Sequence, residues 1–233
     1  MLNLRSAICA MTLAASAMFV VGAANAGVAV AGSSTGEFSN ITSCEGNCSI
    51  NSGGKQLKWG NGRILPGSTL TTIDTSWGVQ TNANDVVLAE LVWNNIVTLP
   101  GYTPVSFNAL FDLDFNFTAP DVTGVSQGFS LNIFNTGLFG DLMTGLNMND
   151  LSSLVFNLSG VTVSDIKFKI AENSTGLFEH NIWYNPEFGS SRLLITADFT
   201  DVVVSEVPEP ASLTLLGAGL LGVAALRRRR TLS

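Results

Sequence analysis

Charge is what this chain is short of: Asp, Glu, Lys and Arg make up 12% of its 233 residues, about half the share in an ordinary soluble domain. Cations are scarcer than anions. Between residues 27 and 207 there are six basic side chains against seventeen acidic ones, a net charge of −11. A surface of that sign repels phosphate backbones and anionic headgroups, which excludes nucleic acid as a partner. Histidine is nearly missing as well. With His180 alone, a catalytic triad or a His-rich metal cage has little to be built from, and no G-x-S-x-G elbow, H-E-x-x-H pair or phosphate-cradling glycine loop occurs. His180 beside Glu179 reads as a solvent-facing loop residue, because neighbours on a strand point to opposite faces. Sustained helical periodicity is lacking between residues 55 and 205, apart from one helical turn expected within residues 141–150. No catalytic residue and no resident cofactor is expected.

Only three cysteines are present, and Cys9 falls in an apolar leader. Arg5 gives that leader a positive start, residues 7–23 are small and apolar, and Ala24-Asn25-Ala26 is an A-x-A cleavage signature. Residues 1–26 therefore read as a signal peptide, forming a signal helix, with an uncleaved anchor as the alternative. Export leaves Cys44 and Cys48 as a pair in an oxidising compartment, where they are expected to form a disulfide across Gly46-Asn47 turn chemistry. Two thiolates without a nearby third ligand do not fill a tetrahedral metal shell.

What is present in quantity is alternation. In residues 107–117, Phe107, Phe111, Leu113, Phe115 and Phe117 share one face, and Asp112, Asp114 and Asn116 the other. That is a strand with one buried side. Ile166, Phe168 and Ile170 oppose Asp165, Lys167 and Lys169 in the same way. Residues 154–158 and 161–170, joined by Ser159-Gly160, read as a hairpin. Within residues 27–54 only GEFSNITS suggests a strand. Many short turn-separated strands over residues 27–204 predict an all-β, antiparallel β-sandwich of jelly-roll-like type. Asp112 and Asp114 could serve as a carboxylate pair or as Ca2+ ligands, against the simpler reading of a solvated strand face. Trp183 and Tyr184, ahead of Asn185-Pro186, are the candidate glycan contacts, since flat aromatic faces stack on sugars. Core packing of the aromatics is the competing reading.

After Val204 the composition changes. Residues 205–210 form a Pro-bearing linker, and residues 211–226 are sixteen uncharged residues, about 24 Å of helix. That is short of a ~30 Å hydrocarbon core but within what snorkelling and bilayer thinning accommodate. Arg227, Arg228, Arg229 and Arg230 then stop the segment, so residues 211–226 read as a single C-terminal transmembrane helix with 227–233 as a cytoplasmic tail.

Pro208-Glu209-Pro210, an apolar helix with Gly217, Gly219 and Gly222, and a terminal Arg cluster closely resemble the PEP-CTERM sorting tail of Gram-negative bacteria that make extracellular polysaccharide. The resemblance implies recognition of Pro208, Glu209 and Pro210 by an exosortase in the inner membrane, cleavage near them, and release of the sandwich to the cell surface or outside. It implies an exopolysaccharide-associated role, structural or adhesive. A carbohydrate-binding module and an exported polysaccharide hydrolase are the alternatives. The middle of the chain resembles the THxN-type or choice-of-anchor β modules found with such tails. Trp77-Gly78 matches one element of the former, and Val92-Trp93-Asn94-Asn95 keeps the final Asn of the other.

Overall fold

The computed structural model describes residues 27–44, 46–51, 53–60, 66–97, 106–136 and 139–202. The leader 1–26, Pro208, Glu209, Pro210, the apolar segment 211–226 and Arg227 to Arg230 lie outside the described residues. Among those described, no helix is long and apolar enough to cross a membrane.

Thirteen strands and one short helix follow in order: β1 (Ala29–Thr42), β2 (Ser49–Asn51), β3 (Gln56–Trp59), β4 (Ser68–Ile73), β5 (Thr75–Gln80), β6 (Ala83–Asn94), β7 (Ser106–Ala119), β8 (Thr123–Phe134), β9 (Asp141–Thr144), α1 (Met148–Ser152), β10 (Val161–Ile170), β11 (Leu177–Glu179), β12 (Ile182–Asn185) and β13 (Ser190–Asp201). They make two antiparallel sheets. One runs β11-β12-β9-β8-β7-β1-β5, the other β10-β13-β6-β4-β3-β2. This is the all-β, two-sheet arrangement expected of a sandwich.

The core follows from strand alternation. On β7, Phe107, Ala109, Phe111, Leu113, Phe115 and Phe117 are buried while Asp112, Asp114 and Asn116 face out. Phe38 of β1 stands opposite Phe111, with ring centroids 4.9 Å apart. Trp59 and Trp93 stand 6.1 Å apart within one sheet, and Trp93 meets Trp183 of the other at 5.2 Å. Burying each such ring contributes about 2–3 kcal/mol, and edge-on pairs like Trp93–Trp183 add to it.

The long β1 runs well beyond the eight residues expected. Its inward positions include Gly32, Ser34 and Gly36 rather than large apolar residues, and the aromatics opposite explain why. A Cβ on Gly32 would sit 2.6 Å from the Trp77 ring, and one on Gly36 would sit 2.7 Å from the Phe111 ring. The stripe of small residues is the space into which those rings fit.

Other expectations need correction. Residues 154–157 are not a strand, and the Ser159-Gly160 turn is closed by a single bridge, Leu158 to Val161. The stretch 141–150 begins as β9, with Asp141 and Met143 turned inward, and the helical turn comes later as α1. There the Asn147 side chain accepts from Asn149 N–H at the N-cap. On β10 the alternation of Ile166 and Phe168 inward with Lys167 and Lys169 outward holds after a bulge between Ser164 and Lys167.

Strand directions define two poles. At one pole lie the start of β1, the end of β5, the turn between β7 and β8 and the end of β13. There Val28 N–H donates to Thr81 Oγ1 at 2.9 Å, and the Thr81 hydroxyl donates to Asp201. The start and the end of the described body are thus tied together. At the distal pole lie the ends of β3, β6, β8 and β12 and the starts of β9 and β13. The twelve residues of β13 span roughly 40 Å between the two.

Candidate functional site

The residues singled out by sequence are scattered. Cys44 and Cys48 are joined by a disulfide with Cα atoms 6.3 Å apart, just past the end of β1. Asp112 and Asp114 sit exposed on the outer face of β7, and Asp114 accepts from the Ser126 hydroxyl. His180 opens the two-residue turn between β11 and β12. It and Asn181 both have positive φ, as a tight hairpin of right-handed twist requires. Trp183 is 0% exposed. Its indole N–H donates to Ser191 Oγ at 2.8 Å, and its ring packs on Trp93. A glycan cannot reach that face, so the expected contact at Trp183 is corrected to core packing. Tyr184, its neighbour on the opposite face, remains partly exposed and donates from its hydroxyl to Phe139 O at 2.6 Å.

Tyr184 is not alone. Phe139, at 81% exposure, and Phe188, at 71%, stand on the turns that flank it at the distal pole. Gly140 brings those turns into contact: with φ of +94°, it lies so close that a Cβ would be 2.7 Å from both Asn185 O and Pro186 Cα. A chain of amides holds β12 to the other sheet beneath them. Asn185 Nδ2 donates to Trp93 O at 2.9 Å, Asn95 Nδ2 donates to Asn185 O at 2.9 Å, and Ser68 Oγ donates to Asn95 Oδ1 at 2.9 Å.

Under the aromatic turns lies a feature that sequence reading missed. Asp141 is 1% exposed. Its Oδ1 accepts from Thr136 N–H at 3.1 Å, while its Oδ2 has no hydrogen-bond partner. Asn185 is its register partner across β9 and β12, and Glu187 follows two residues on. Glu187 as a residue is half-buried, yet both its carboxylate oxygens are shielded from water without a hydrogen bond of ordinary geometry, the Gly140 N–H being the nearby donor. Burial raises the Asp141 carboxyl from 3.8 to about 7; the negative Glu187 adds to this, while Thr136 N–H and the nearby Trp59 indole pull the other way. Trp59 Nε1 itself makes no hydrogen bond of ordinary geometry. Burial also raises Glu187.

A second acidic group contrasts with this one. Asp85, Asp165 and Asp198 bring carboxylate oxygens within 4.8 Å of one another across β6, β10 and β13. Two of them already have cations, Lys167 bonding Asp165 and also Asp85 at 3.0 Å and Lys169 bonding Asp85 at 2.8 Å, while Asp198 accepts from Asp85 N–H. Those ammonium groups hold the Asp85 carboxyl below its ordinary range. The triad is a solvated ion-pair network on a sheet face.

Beyond the body, the PEP-CTERM protein-sorting motif matches residues 206–230. No curated protein matches the chain. The motif is the recognition signal of exosortase, and it supports export with transient membrane anchoring before processing. In sequence it follows β13, which ends at Asp201 on the pole opposite Asp141 and the exposed aromatics. The chain is therefore a two-sheet antiparallel β protein carrying a PEP-CTERM sorting motif at residues 206–230.

Proposed function

We propose that this protein is a surface or extracellular-matrix component with a structural or adhesive role in exopolysaccharide, delivered by exosortase and active by binding without turnover. The observation that carries this reading is the sorting motif at residues 206–230. The arrangement of poles supports it: β13, the last described strand ahead of the motif, ends at the pole opposite Phe139, Tyr184 and Phe188. Resemblance of the middle of the chain to THxN-type or choice-of-anchor β modules is in keeping with a sorted, non-enzymatic body.

The test is intact mass of the protein recovered from culture and from cell membranes. Wild-type protein outside the cell is expected to lack residues 1–26 and the tail. Changing Pro208, Glu209 and Pro210 to Ala should leave the tail attached and shift most of the protein to the membrane fraction. Equal release of both proteins would remove exosortase from the account.

A carbohydrate-binding module is the second reading, favoured by the exposure of Phe139 and Phe188 beside Tyr184. Stacking on such rings is driven by the same apolar and quadrupole terms that pair aromatics in cores. On a glycan array, a module of this kind should lose binding about tenfold for each of Phe139→Ala and Phe188→Ala, a change of about 1.4 kcal/mol. Trp183→Phe should retain it while the fold stands. Absence of any glycan signal leaves the structural role.

A further inference from the structure

We infer that Asp141 and Glu187 bind a calcium ion at the distal pole. The inference goes beyond the sorting and matrix reading and does not depend on it. Several other carboxylates have donors or cations: Asp74 has Lys55, Glu90 has Arg192, Asp121 has Ser159, Asp201 has Thr81 and Asn82, and Asp85 has two lysines. Asp141 and Glu187 differ. Three of their four oxygens are shielded from solvent without a hydrogen bond of ordinary geometry, and among the described residues no Lys, Arg or His forms an ion pair with either.

Placing two carboxyl groups together out of water is costly unless a proton or a cation neutralises them. The donor set is oxygen only, and both Glu187 oxygens lie outside any hydrogen bond of ordinary geometry. That is hard-cation chemistry, and it suits Ca2+, which takes carboxylates, carbonyls and waters at flexible angles, better than it suits zinc. A second observation points the same way. Trp59 is fully buried with its Nε1–H beside Asp141, where it favours the ionised carboxylate, as suits an oxygen that a bound cation keeps ionised. The groups come from separate parts of the chain: Trp59 closes β3, Asp141 opens β9 and Glu187 lies past β12. Metal binding would therefore fasten the start of β9 to the turn between β12 and β13.

The neighbouring indole supplies the probe. Tb3+ substitutes for Ca2+ and emits when a nearby tryptophan is excited. The whole protein, stripped with chelator, should sensitise Tb3+ emission, and Ca2+ in the submillimolar to millimolar range of extracellular sites should displace it. Glu187→Gln and Asp141→Asn should each abolish the signal. Trp59→Phe should weaken sensitisation several-fold while Ca2+ binding by calorimetry persists. If those variants fail to fold, the wild-type protein still decides: its Tm should rise with millimolar Ca2+ and fall back on adding chelator. Absence of both the emission and the Tm shift overturns the proposal, leaving a carboxyl pair that shares protons. Emission that survives Glu187→Gln but is lost in Asp85→Asn overturns it in favour of the sheet-face triad. Retention of exosortase processing in either variant leaves the sorting reading untouched, so the two can fail separately.

Discussion

Raising the pH from about 4 to about 7 in chelator is expected to cost the protein on the order of 4 kcal/mol of stability through Asp141 alone. The sign follows from where the proton sits. In the unfolded chain the group ionises near 3.8, and in the folded one near 7. Between those values the folded state holds a proton that the unfolded state has released, so stability declines as pH rises through this window and levels off above it. Glu187, raised as well, acts in the same direction. Asp85 and Asp201, both lowered, lose their contribution only as pH falls through the acid end, so the window between is governed by the buried pair. Urea unfolding at intervals across this range measures the effect. Asp141→Asn should flatten the slope and be the more stable protein at pH 8. A stability that instead increases steadily from pH 4 to 7 in both would mean the Asp141 carboxyl is not buried as described.

The second large effect is expected at Trp93. It is fully buried on β6 and contacts Trp59 of its own sheet and Trp183 of the other, so it fills the gap where the two layers meet at the distal pole. Trp93→Ala removes a whole indole that neighbours on rigid strands cannot replace, and should destabilise by about 3–5 kcal/mol. Trp93→Phe is informative because the Trp93 N–H has no partner. Replacing it loses volume but also relieves a buried donor left unsatisfied, so the net cost should stay near 1–2 kcal/mol. Chemical denaturation with tryptophan fluorescence, calibrated by circular dichroism, separates the two. A Phe variant as damaged as the Ala one would show that the indole edge, not its bulk, holds the layers together.

How much of this could be seen in the sequence depends on side-chain size at the inward positions. β7 was legible because Phe107, Phe111, Phe115 and Phe117 alternate with Asp and Asn. β1 was half legible because Gly32, Ser34 and Gly36 occupy inward sites, made small by rings from β5 and β7. The four residues of β12 carry aromatics on both faces, Trp183 inward and Tyr184 outward, and a strand so short offers no period from which to choose. The Asp141–Glu187 pair was invisible for another reason. Forty-six positions separate the two, and only the pairing of β9 with β12 brings them together. The sorting motif, by contrast, is local and contiguous, and it could be read from the residues alone.

The place of β13 has a consequence for delivery. It lies between β10 and β6 rather than at a sheet margin, so β10 has no neighbour to pair with in that layer until residues 190–201 arrive. A chain passed outward with its N-terminus first cannot complete its interior until the residues just ahead of the sorting motif have emerged. In sequence the sorting motif follows only four residues behind that strand.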